Sequence, residues 1–215
     1  MSKGSKKPVI LVSSTVYGIE ELLERIYTLL TTFGYEVWMS HKGTFSVRSD
    51  RTAFNNCLAA VDKCDLFLGI ITPSYGSGKD GDELSITHQE IQRAISLNKP
   101  RWLLAHDHVV FARRLLRDIG LGAPEKRRKL KLKKGANSLT DLRVIDMYEE
   151  ATRQVEPLDE RYGNWVQEFN TDEDALLFAT FQFSRYQEVE EFINENLNVP
   201  ARVQASIDQR RGGKQ

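Results

Sequence analysis

Residues 64–94 read CDLFLGIITPSYGSGKDGDELSITHQEIQRA, and this stretch decides the fold. Its first eight positions, Cys64 to Ile71, are almost all apolar, as expected of a parallel strand covered on both faces and central in its sheet. A glycine-rich loop follows. Ser85 or Thr87 then supplies a cap for a helix reaching about Asn98. A strand, a loop and the start of a helix form the junction at which open parallel sheets bind ligands.

Working outward, the same unit recurs on either side. Pro8 to Ser13 is a short β-branched strand. Ile19, Leu22, Leu23, Ile26, Leu29, Leu30 and Phe33 mark a helix over 18–33, with Gly34 at its C-terminal end. Tyr35 to Met39 reads as a second strand. Ser49 or Asp50 is placed to cap a helix whose buried stripe is Phe54, Cys57, Leu58 and Val61. Pro100 to His106 reads as a fourth strand. The β-α-β-α-β-α-β order predicts an α/β, flavodoxin-like, doubly wound parallel sheet of four to five strands.

The pattern loosens after His106. Helices are expected over 109–119 and 141–154, with a loop over 157–163 and a fifth strand at 165–169. Thr171 and Asp174 have capping-box spacing ahead of a helix to about Leu197. Phe181 and Phe183 alternate there in a strand-like way. The expected organisation is a flexible leader (1–7), an α/β core (8–106), a C-terminal helical extension with a basic loop at 126–134 (107–199), and a flexible tail (200–215).

Composition narrows the class. In 215 residues, 40 % are hydrophobic and 28 % charged, which suits a globular domain. Lys plus Arg and Asp plus Glu both number 30, so no overall field favours DNA or a membrane. No apolar run approaches the roughly 20 residues of a membrane span. The start lacks a signal peptide's apolar segment, and Cys57 and Cys64 are too few for a disulfide scaffold. A cytoplasmic protein with two reduced thiols is expected.

In a parallel sheet, the strand ends gather Ser13, Ser14, Thr15 and Tyr17 after the first strand, and Ser40 and His41 after the second. Thr72, Ser74, Tyr75, Gly76 and Gly78 follow the third, and His106, Asp107 and His108 the fourth. Hydroxyls and close-approach glycines suit a ribose or phosphate. The candidate nucleotide-binding residues are therefore Ser13, Ser14, Thr15, Tyr17, Tyr75, Gly76 and Gly78.

Glu90 has two readings. On a ligand-facing helix, its carboxylate can bond a ribose or assist cleavage of an N-glycosidic bond. Alternatively, Thr87-x-x-Glu90 has the spacing of a capping box. Gly76-Ser-Gly78-Lys-Asp-Gly81 matches G-x-G-x-x-G in letters only, because it follows the third strand and carries acids. His106-Asp107-His108 lacks metal-site spacing, so Asp107 is expected to cap the next helix, and no metal or cofactor is expected. The run from Lys126 to Lys134 lacks interleaved aromatics and reads as a solvated loop. RNA contact through it is a third reading, and nucleic acid is not the expected partner.

The segments VILVSSTVYGIEE, NNCLAAVDKCDLFLGII, YGSG, LSITHQEIQRA and NKPRW, in that order over about residues 8–106, resemble a bacterial domain of unknown function that also heads some large STAND-type NTPases. That family is similar to the superfamily of Toll/interleukin-receptor (TIR) domains and nucleoside 2-deoxyribosyltransferases. The resemblance implies a nucleotide-sized crevice, with a catalytic glutamate at the position of Glu90 and NAD or a related nucleotide as substrate. It also implies defence or stress signalling, with self-association or a partner protein. Two hypotheses follow, N-glycosidic cleavage and non-catalytic nucleotide sensing. From sequence the first is preferred.

Overall fold

The structure is a computed structural model that describes residues 7–76, 84–185 and 188. Five strands form one sheet in the order β2-β1-β3-β4-β5, and every pairing is parallel. They are β1 (Val9–Ser14), β2 (Glu36–Trp38), β3 (Leu66–Ile71), β4 (Arg101–His106) and β5 (Val166–Phe169). The seven described helices are α1 (Glu20–Thr32), α2 (Ala53–Lys63), α3 (Ile86–Ser96), α4 (Asp107–Asp118), α5 (Pro124–Arg127), α6 (Arg143–Ala151) and α7 (Asp172–Phe183). This is the flavodoxin-like α/β arrangement. None of the described helices is long and apolar enough to cross a membrane.

The two faces of the sheet make two cores because side chains alternate along a strand. Val9 and Leu11 face a core shared with α2, α3, α4 and α6. Ile10 and Val12 face the other, shared with α1 and α7. All six residues of β3 are buried, as a strand covered on both sides requires. Gly69 lies at its centre. A Cβ there would stand 2.6 Å from Leu103 Cδ2 and 3.0 Å from Phe67 Cε1, so glycine leaves room for side chains of β4 and of its own strand.

Hydrogen bonds and burial correct three local expectations and settle one choice between two residues. Thr52, rather than Ser49 or Asp50, caps α2. The buried positions of α2 are Asn56, Ala60 and Val61, whereas Phe54, Cys57 and Leu58 are only half-buried. Asn56 is buried because its amide bonds the backbone of Arg48, Arg51 and Thr52. His106 caps α4 by accepting from the His108 amide, which places Asp107 inside the helix. Ser85 caps α3, so Thr87 is a first-turn residue and not the cap.

The fifth strand and the Thr171–Asp174 capping box both form as read. Phe181 and Phe183 belong to helix α7, exposed and buried respectively, so their alternation did not mark a strand. The helix read to about Leu197 is described only to Phe183. The basic run divides: Arg127 is buried, while 128–134 are exposed. Residues 107–183 thus supply a strand and four helices around the same sheet.

Candidate functional site

The strand order reverses between β1 and β3, so their C-terminal ends border the switch point where ligands enter doubly wound sheets. Thr15 and Gly76 meet there. Gly76 has φ +85°, and a Cβ on it would lie 2.8 Å from Thr15 Oγ1. Both the positive φ and the close approach require glycine. Thr72 is spent on its own turn, exchanging hydrogen bonds with the backbone of Ser74.

The other candidate residues separate. Ser14 points to the α1 face and donates to the carbonyls of Ile70 and Thr15. Tyr17 stands 81 % exposed. Tyr75 is buried beside α3. Gly78 lies outside the described residues. Ser40 and His41 sit exposed in a 3-10 turn at 40–42. His106, Asp107 and His108 cluster with their ligand-capable atoms within 4.8 Å of one another. Within that cluster, His106 Nδ1 takes the His108 amide.

Glu90 occupies the second turn of α3 and turns inward to the sheet. Ser13 Oγ donates to its Oε2 at 2.5 Å. In register, Ser13 sits beside Gly69, and by the alternation of β1 it shares the face of Val9 and Leu11 that α3 covers. The Cys57 thiol of α2 donates a second hydrogen bond. Burial pushes the Glu90 carboxyl up to about 7, opposed by the bonds from Ser13 and Cys57. Burial together with the adjacent Glu90 charge pushes Cys57 up to about 12, so it stays a thiol and a donor. Glu90 is 6 % exposed and makes no ion pair among the described residues. The capping-box reading of Thr87 and Glu90 is therefore overturned, because Ser85 is the cap and Glu90 bonds across the core.

Two positions earlier on α3, His88 faces away from that knot. It is 1 % exposed. Its Nδ1 lies 2.9 Å from Tyr75 Oη, which also accepts the Ser85 amide at 3.3 Å. With the phenol hydrogen given to Nδ1, His88 carries its proton on Nε2, 3.1 Å from Glu150 Oε2. Burial would raise the Glu150 carboxyl, but His88 and Gln92 together hold it below its ordinary value. The Arg143 guanidinium lies 4.6 Å over the Tyr75 ring and pairs with Asp141 at 2.7 Å.

A cavity of about 820 Å³ opens on this side, bounded by Leu84 just before α3, His88 of α3, Arg127 of α5 and Glu150 of α6. None of the described candidate residues lines it. His88, Arg127 and the contact of Cys57 with Glu90 were missed by sequence reasoning. The helical stripe places Cys57 near the core, but no spacing rule joins it to Glu90. Arg127 was hidden inside a run of cations.

The chain belongs to the family described as a domain of unknown function, DUF4062, which it matches over residues 9–198. The match extends well past residue 106, where the sequence resemblance stops, and so takes in β5 and α7. No curated protein matches the chain.

Proposed function

We propose that the domain is a sensing or interaction module that binds a nucleotide-type small molecule at the switch point between β1 and β3. The carrying observation is the meeting of Thr15 with the left-handed Gly76 at that reversal of strand order. A hydroxyl and an unencumbered backbone suit the oxygens of a ribose or phosphate. The TIR-like resemblance supports coupling of this binding to self-association or to a partner in defence or stress signalling. Glu90 supports sensing over cleavage, because a carboxyl 6 % exposed and held by Ser13 and Cys57 has little access to a sugar.

One observation favours the second reading, cleavage of the N-glycosidic bond of NAD or a related nucleotide. A carboxyl raised to about 7 is poised for acid or base work at neutral pH. In that chemistry Glu90 would stabilise or attack the sugar C1 as the base departs.

Incubation with a nucleotide panel, followed by mass spectrometry and calorimetry, separates the two. The sensing reading expects a ligand that binds, is recovered unchanged, and is weakened by Thr15→Val. Consumption of a nucleotide, abolished by Glu90→Gln in a folded protein, would replace it with the cleavage reading. No binding and no consumption would defeat both.

A further inference from the structure

We infer that the cavity between α3, α5 and α6 is a second binding site, for a small molecule carrying a phosphate. Its volume of about 820 Å³ lies within the range of small-molecule sites, about 300–1,000 Å³. Its residues are not those of the switch point, so the inference does not rest on the sensing reading.

The charges lining the cavity, sorted by partner, set the sign of the ligand. Each acid on its walls is engaged: Asp146 by Arg127, Asp141 by Arg143, and Glu150 by Gln92 and His88. Arg128 and Lys131 also line the cavity, and no acidic group among the described residues pairs with either. The surplus is cationic.

The buried wall points the same way. Arg127 is 2 % exposed and lines the cavity. Its two terminal nitrogens bond the Gly122 carbonyl, Asp146 and Glu149. Among the described residues its Nε has no hydrogen-bond partner. A buried N–H left without an acceptor adds to the positive character of this wall. The guanidinium fork of Arg128 and the ammonium of Lys131 suit a phosphate's several oxygens.

Leucines at 84, 130, 132 and 142 give the rest of the wall an apolar character suited to a ring or hydrocarbon body. A nucleic-acid strand is disfavoured, since the lining offers no Phe, Tyr or Trp for bases to stack on.

The test is a calorimetric titration of the full chain with adenosine 5′-monophosphate, uncharged adenosine and a short single-stranded RNA. The monophosphate is expected to bind and adenosine to bind at least about tenfold more weakly, the loss that one strong charged contact represents. The double variant Arg128→Glu, Lys131→Glu alters two exposed side chains and should lose at least about tenfold in monophosphate affinity with thermal stability unchanged. The affinity that the double variant loses should be the part that Thr15→Val retains. Equal affinity of the double variant and wild type, equal binding of adenosine, absence of monophosphate binding, or RNA binding in its place would each overturn the inference. Loss in Thr15→Val with retention in the double variant would assign binding to the switch point and overturn it as well.

Discussion

His88 and Glu90 stand two positions apart on α3, and so about 200° apart around the helix. The sides they face show two ways of burying an ionisable group. Glu90 enters the sheet side with hydroxyl and thiol donors but no cation, and its carboxyl shifts up to about 7. On the other side Arg127 lies between Asp146 and Glu149, so its charge arrives with counter-charges. An isolated buried carboxylate takes up a proton, whereas a paired charge is kept and depends on its partner. The knot around Glu90 should therefore answer to pH, and the α3–α6 side to loss of a partner.

The sharpest way to break this comparison is Arg127→Leu. Removing the guanidinium leaves two carboxylates facing a buried site, so a loss of about 3–5 kcal/mol is expected in urea unfolding. A near-neutral result would mean that the carboxylates relax to solvent, and the contrast between the two sides would fail.

Glu90→Gln should give the next largest effect, and only at higher pH. The folded carboxyl titrates at about 7 against an ordinary 4.5, so the folded state holds a proton that the unfolded chain has lost. Stability from this group is full below the unfolded value and lost as pH rises through the folded one. That amounts to on the order of 2–3 kcal/mol. The glutamine variant mimics the protonated form. It should match wild type near the ordinary carboxyl value and exceed it by about that amount above the folded one. Urea midpoints of both proteins across this interval check the claim, and a difference independent of pH would refute it.

Ser13→Ala sharpens the same side by removing the 2.5 Å donor to Glu90. A loss of about 1–2 kcal/mol is expected, growing as pH rises because the ionised carboxylate needs the donor more. Smallest is the cap. Ser85→Ala should cost about 1 kcal/mol, with Thr87→Val costing less. The reverse order would restore Thr87 as the cap.

Much of the fold was legible because periodicity reports burial directly. Leu66 to Ile71 carries no polar side chain and β3 is central; the helical stripe of 19–33 became α1. Caps were less legible. Ser49, Asp50 and Thr52 all carry suitable oxygens, and only the helix start, set by how α2 packs, selects Thr52. The candidate site was half legible. The strand-end rule located Thr15 and Gly76, yet it also named Ser14, whose side chain faces the opposite core by the alternation of β1.

The order of apolar strands and amphipathic helices, local in the chain and repeated, by itself determined the parallel α/β sheet and the loops at the C-terminal edge of its strands. The role of Glu90 was decided only by tertiary structure. Its fate depends on Ser13 and Cys57 arriving from 77 and 33 positions away. Local spacing cannot encode such meetings, because the energy of a buried carboxyl is set by neighbours in space.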